Sequence, residues 1–456
     1  MSKNVDRSKQ LGEEKVGTLL FKFSLPAIVG MLVNALYNMV DRVFIGRGVG
    51  ALAISGLAVG FPLSIINMAF GMLIGIGSST MISIKLGEKK KDEAEKILGN
   101  ALVLIILISI CLSIIGLIFL DDILKIFGAS QETLPYARDY MKYIIAGALL
   151  QNIGFGMNNI IRAEGNPKIA MATMLIGAII NTILDPIFIF VFKMGIKGAA
   201  IATIFAQTVS SIWVLYYFFS GKSTLKIKRE NLSLHKGTIK TIMSIGISPF
   251  SMQIAASLVT TILNKNLLTY GGDLAVGAMG IINSISMLFS MPMFGINQGM
   301  QPIIGYNYGA KQYKRVRKTL KLAIMASVTI ATIGFIVVEV FPTALIKIFN
   351  SDEQLVSIGT HGIRIFLSLL PIIGFQVVSS NYFQAVGKAK IAIFLSLSRQ
   401  FIFLIPMLII LPLMFGLNGV WIVGPVSDIL AALVTMFFLY KDMNQLRDLE
   451  ETAECK

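Results

Sequence analysis

Apolar residues come in long blocks separated by short polar breaks. The blocks cover 19–46, 52–84, 97–120, 134–161, 168–193, 197–219, 239–270, 274–306, 316–342, 355–384, 389–414 and 417–440. Each reaches the ~20 residues a helix needs to cross the hydrocarbon core of a bilayer. The alternation that a membrane barrel would show over roughly ten residues is not the pattern here. The reading is an all-α integral membrane protein with twelve transmembrane helices. Several blocks exceed the membrane thickness and must tilt, kink or project. The start of the fourth, Tyr136-Ala137-Arg138-Asp139-Tyr140, reads as such a projection.

Charge orients the spans. Lys89, Lys90 and Lys91, Arg162 and Lys168, Lys222 to Lys236, Lys311 to Lys318, and Lys388 and Lys390 fill every even-numbered connection. The odd connections are shorter or acidic, with Asp121, Asp122, Asp273, Asp352 and Glu353. Basic loops mark the cytoplasmic side. Both termini join them, through Lys3, Arg7, Lys9 and Lys15 at one end and Lys441 and Arg447 at the other. The chain is thus expected in the plasma membrane with both ends inside. The first residues are polar and do not read as a cleavable leader.

Composition narrows the class. Of 456 residues, 55% are hydrophobic and 14% charged, against roughly 25% charged in a soluble protein, so a soluble enzyme and a disordered chain are excluded. The net charge of +15 resides in the loops without an RNA-binding signature, so the bilayer rather than nucleic acid is the expected partner. Cys111 and Cys455 do not suggest a disulfide framework. His235 and His361 are too few and too far apart for a structural zinc site.

The chain repeats itself at an offset near 222. Ala163–Ala170 reads against Ala385–Ala392, Lys125–Phe127 against Lys347–Phe349, and Leu52-Ala53 against Leu274-Ala275. Gly77 and Gly87 pair with Gly299 and Gly309, and Pro26 with Pro249 at one residue of slip. The domains expected are an N-lobe over 1–220, a cytoplasmic linker over 221–240 and a C-lobe over 241–456. Two parallel six-helix halves are a transporter design with the substrate path near the midplane.

Acids inside spans are rare and functional by default. Asp41 lies ~28 Å along its helix from Lys22, and Asp185 ~26 Å from Lys168, at 1.5 Å per residue. Both helices run outward, so the two acids share a depth. Asn34, Tyr37, Asn38 and Asp41 follow one helical face, as do Asn181 and Asp185, and Thr203 and Gln207. Asn152 and Asn159 add polar positions on the fourth span. Pro186 clashes with the carbonyl of Thr182. That carbonyl, Asp185 and Asn181 form an oxygen set for a cation or water, and the acids can take a proton or Na⁺ at working pH. Met157, Met171 and Met174 are weaker candidates for an adaptable apolar cavity wall. The second half lacks this acid pair: Asn264 stands where Asp41 maps, and no acid stands near Pro406. Arg399 lies ~14 Å in from Lys390 and Asp428 ~20 Å in from Lys441, a difference that a long arginine bridges, so the two suit an ion pair between the last two spans, or a relay or substrate contact.

The segments Phe23–Gly46, Arg162–Met171, Asn181–Phe190 and Gly195–Thr203 resemble the multidrug and toxic compound extrusion (MATE) transporters of the bacterial DinF-like and MepA-like branch. The resemblance implies two lobes around a V-shaped cavity and no catalysis. It implies export of amphipathic, often cationic drugs or dyes against inward H⁺ or Na⁺, with no other cofactor. Its coupling cluster falls on Asp41, Asn181, Asp185 and Thr203, which would also hold Na⁺. The substrate cavity then falls to Asn34, Tyr37, Asn38, Asn152, Met157, Asn159, Met174 and Gln207. A monomer is expected. A flippase for a lipid-linked precursor is the alternative. A membrane enzyme would need a dyad at one depth, and His361 has no obvious partner.

Overall fold

The computed structural model describes residues 8–349 and 352–454. Lys3, Arg7 and Cys455, named above, lie outside them. Helices follow one another as α1 (Lys9–Glu13), α2 (Val16–Gly48), α3 (Ala51–Gly87), α4 (Lys91–Ile118), α5 (Leu120–Ile126), α6 (Leu134–Ala146), α7 (Ala148–Ala163), α8 (Pro167–Pro186) and α9 (Gly195–Phe219). Then come α10 (Lys236–Gly309), α11 (Tyr313–Val340), α12 (Pro342–Lys347), α13 (Glu353–Phe366), α14 (Leu370–Ala385), α15 (Ala389–Leu397) and α16 (Ile405–Glu454). Two π-helical stretches, Ile187–Val191 and Ser398–Leu404, widen the helices beside Pro186 and Pro406.

Among the described residues, eight helical stretches are long and apolar enough to cross a membrane. Two bent pairs also reach that length together: α6 with α7, bent by 54°, and α13 with α14, bent by 49°. The fourth and tenth apolar blocks, read from sequence as unbroken, are therefore each two helices. Conversely α10 and α16 each run through a left-handed glycine, Gly272 (φ 66°) and Gly416 (φ 56°). Such a residue ends a helix without the Cβ clash that other residues would meet. The first span continues through Pro26 as one helix, α2.

The repeat is visible in the backbone itself. Left-handed φ occurs at Gly50 and Gly272, at Lys89 and Lys311, and at Gly165 and Gly387. Each pair is separated by the same 222 residues. Left-handed lysines are sterically costly, so their matched occurrence at Lys89 and Lys311 reflects one loop geometry used twice.

Contacts divide the chain into two units. One holds the chain up to Glu14 together with Val29–Phe250; the other holds Lys15–Ile28 and everything from Ser251 onward. In the first unit the start of α10 lies against α3: a Cβ on Gly246 would overlap the carbonyl oxygen of Leu73, and one on Gly77 would overlap that of Ile242. In the second unit the start of α2 lies against the later part of α10, where a Cβ on Gly299 or Gly295 would come within 2.7 Å of the amide nitrogen of Ser24 or Ile28. Only glycine permits backbones to approach this closely.

The joining segment is a strap stitched onto the first unit. Lys226 N donates to Glu95 Oε1 (3.2 Å), and Lys228 Nζ lies 2.7 Å from Glu95 Oε2. Asn100 donates to the carbonyls of Asn231 and Ser233 and accepts from His235 N at 2.8 Å. Glu164, buried at the end of α7, accepts from Ser223 Oγ (2.6 Å), Thr224 N (3.1 Å), Leu225 N (3.3 Å) and the Tyr217 hydroxyl.

Candidate functional site

In the first unit α2, α6, α8 and α9 converge on a group of polar side chains. Ile45 packs with Ala53, Ile189, Ile196 and Ala199 beyond it, closing one end with apolar contacts. Asp185 is fully buried and Asn181 is 2% exposed. They stand four apart on α8, so both point the same way. Asn181 Nδ2 donates to Asp185 Oδ1 (3.2 Å) and reaches Thr203 Oγ1 on α9 (3.3 Å). The Thr203 hydroxyl donates to the carbonyl of Ala199, its own helix's preceding turn (3.0 Å). From α2, the Asp41 carboxyl meets that of Asp185 in side-chain contact. Asp41 is itself buried, at 8% exposure.

Two tyrosines complete the group. Tyr140 on α6 shares a hydrogen bond with Thr203 and lies in the field of both acids. Tyr37 bonds to Asn38 and faces the same acids. Asn38 Nδ2 in turn donates to the Asn34 carbonyl (2.7 Å) and to Asn34 Oδ1 (3.1 Å). Asn181 Oδ1 and Gln207 Oε1 are buried acceptors with no donor among the described residues. The site is thus rich in oxygen and short of protons to bond them. Tyr140 escaped the sequence reading because Arg138 and Asp139 beside it made the stretch look extramembranous. The usable signal was a tyrosine at the edge of an apolar block.

Asn152 and Asn159, also expected at a cavity wall, are buried and bonded among the helices. Asn152 donates to Asn67 Oδ1 and Ser109 Oγ, both at 3.0 Å, while Asn67 donates to Gln151 Oε1 (2.7 Å). This amide layer ties α3, α4 and α7 together. Asn159 accepts from Arg162 Nη2 (2.8 Å), and Met157 is wholly buried. These three residues sit in helix packing, which polarity and softness alone did not distinguish from a wall. Met174 is half-buried, its sulfur against Gly30.

The second unit has no such acid pair among its described residues. Asn264 is exposed. Asp428, 2% exposed, receives Arg399 Nε (2.8 Å) and Nη2 (2.7 Å) on one oxygen. Its charge is matched by a fixed cation, whereas Asp185 has no ion pair among the described residues. No group of three or more His, Cys, Asp or Glu suited to a resident metal occurs among them.

A bundle of long apolar helices with a duplicated backbone and, among the described residues, an oxygen-lined acid pair fits a membrane transporter. The MatE family model matches residues 26–187 and again 249–410, and the chain belongs to that family, the multidrug and toxic compound extrusion transporters. The chain is 28% identical over 434 residues to the multidrug export protein MepA of Staphylococcus haemolyticus (strain JCSC1435), covering 95% of each. It is similar to the MATE multidrug transporter DinF-BH, solved as a ligand complex, at 41% identity, TM-score 0.89, and 95% and 97% coverage of the two chains. A multidrug resistance MATE transporter solved in an outward-facing conformation shares the fold, with TM-score 0.91 at 24% identity over 98% of this chain and 99% of that one.

Proposed function

We propose that this chain is a cation-coupled antiporter that exports amphipathic, often cationic small molecules against inward H⁺ or Na⁺. Twelve spans follow if each bent pair is one span and α10 and α16 are each two, parted at Gly272 and Gly416. The lobes are then 1–220 and 241–456, with 221–240 between them and both ends cytoplasmic by the charge rule. The relatives support the cargo: MepA is named for multidrug export, and DinF-BH is named as a multidrug transporter.

The observation that carries the reading is the contact between Asp41 and Asp185. Two carboxyls in contact away from bulk water do not both remain ionised unless a cation lies between them. A proton shared by the pair, or Na⁺ ligated by the pair with Asn181 and Thr203, meets that need. Asn34, Tyr37, Asn38 and Gln207 extend the polar wall toward the cargo, and Met174 adds an apolar, adaptable surface. Loading changes the charge and hydration of the site, α2 rearranges, and cargo is released outward. Unloading returns a site that attracts a cationic molecule.

Dye efflux from vesicles with imposed pH or Na⁺ gradients tests this. Asp41→Asn and Asp185→Asn are each expected to abolish ion-driven efflux while the protein remains folded. Unchanged efflux in both variants refutes the assignment. Comparing the two gradients identifies the ion.

A further inference from the structure

The fourth span is broken where it passes the site. Its outer arm α6 carries Tyr140, its inner arm α7 carries the amide layer, and the arms differ by 54°. A helix end leaves its last carbonyls without intrahelical partners, and within a bilayer the protein itself must supply them. Ser113 on α4 donates to the carbonyl of Ile145 at 2.7 Å, one residue before the last of α6. Ser211 on α9 donates to the carbonyl of Leu150 on the inner arm. Between them Gly147 lies so close to α9 that a Cβ would meet Ile204 at 2.8 Å. The break is therefore gripped by neighbours on both sides.

Leverage makes the grip at Ile145 consequential. Tyr140 lies five residues away, or ~7.5 Å along the helix axis. A tilt of about 10° at Ile145 displaces it by ~1.3 Å, and a hydrogen bond stretched that far is lost. The second repeat serves as an internal control. There the break between α13 and α14 caps itself, Ser368 Oγ donating to the Ile365 carbonyl at 2.8 Å. At the 222-residue offset Ser113 corresponds to Phe335, which packs in the apolar core. Tyr140 corresponds to Gly362, which lies against the Trp421 ring. A neighbouring helix supplies the hydroxyl in the half that carries the acids and not in the half that lacks them.

We propose that Ser113 is a positioning residue for ion coupling: by holding the Ile145 carbonyl it fixes the outer arm, and so keeps Tyr140 on Thr203 beside Asp41 and Asp185. The proposal rests on reading that acid pair as the coupling site. It is tested with the full-length protein in liposomes, measuring dye efflux as a function of pH and of Na⁺. Ser113→Ala is expected to shift the half-maximal ion concentration by about threefold or more, half a unit on a pH scale. The shift should run in the same direction as that of Tyr140→Phe, with the KM for dye unchanged. Ser113→Thr keeps the hydroxyl and the wild-type profile, and so does Ser368→Ala in the other half. If Ser113→Ala is not recovered folded, Ser113→Cys, a weak donor of similar shape, gives the same readout. Ion profiles that superimpose on wild type, or a lower maximal rate at an unmoved midpoint, overturn the proposal. Asp41→Asn separates the two levels. If it too leaves the ion dependence intact, the antiport reading falls; if it abolishes the dependence while Ser113→Ala moves nothing, the positioning role alone falls.

Discussion

Glu164 shows how much one side chain can be asked to hold. Its carboxyl is 1% exposed and collects four hydrogen bonds, three of them from the strap that follows α9. Burial nevertheless outweighs those donors and pushes its pKa up from 4.5 to about 7. The folded protein therefore binds this proton more tightly than the unfolded chain does. The resulting stabilisation is complete below the unfolded value near 4.5 and is lost as pH rises through about 7. Thermal melts of the detergent-solubilised protein between pH 5 and 8 should show Tm falling with an inflection near 7. Glu164→Gln, in which the Tyr217 hydroxyl can turn acceptor for the new amide, should remove that component. At this scale the sequence was most informative where chemistry was out of place. Asp41, Asn181 and Asp185 were legible because acids and amides at helical spacing contradict an apolar span. Asn152 and Asn159 were equally conspicuous and turned out to bond within the packing, since a polar residue advertises a partner without saying whether the partner is protein or cargo.

Among elements, breaks matter more than lengths, and each leaves a carbonyl to be satisfied. Pro412 in α16 cannot donate to the carbonyl four residues earlier, that of Leu408. Asn266 on α10 donates to that carbonyl across the helix pair at 2.7 Å. Asn266→Leu should therefore destabilise the protein by about 1–3 kcal/mol, the cost of a buried acceptor left unmade. In a Pro412→Ala background, where the backbone amide returns, the same change should cost much less. A double-mutant cycle read by thermal unfolding measures the difference, and equal costs in both backgrounds would show that Asn266 acts some other way. The apolar blocks anticipated an all-α protein of many long apolar helices. The bends at Gly147 and near Ser368 were not legible, because apolar residues on either side continue the pattern; at the first the neighbouring helices supply Ser113 and Ser211, and at the second Ser368 bonds within its own segment.

Over the whole molecule, a duplicated framework has been given unequal charge. Matching left-handed residues at Gly50 and Gly272, Lys89 and Lys311, and Gly165 and Gly387 show that both repeats trace one backbone. In the first, two carboxyls meet each other; in the second, Asp428 meets Arg399. A carboxylate held by an arginine already has a fixed counter-ion within the protein. The second pair should accordingly support the fold and leave ion coupling to the first repeat. Removing one partner strands a buried charge and costs about 3–5 kcal/mol, whereas replacing both with apolar side chains of similar size is often neutral. Asp428→Leu and Arg399→Met alone should each lower Tm substantially, and the double variant should recover most of the loss. The recovered double variant should also transport with an unaltered midpoint in pH or Na⁺. A shifted midpoint in that variant, at restored stability, would place part of the coupling machinery in the second repeat and end the assignment of the driving ion to Asp41 and Asp185 alone.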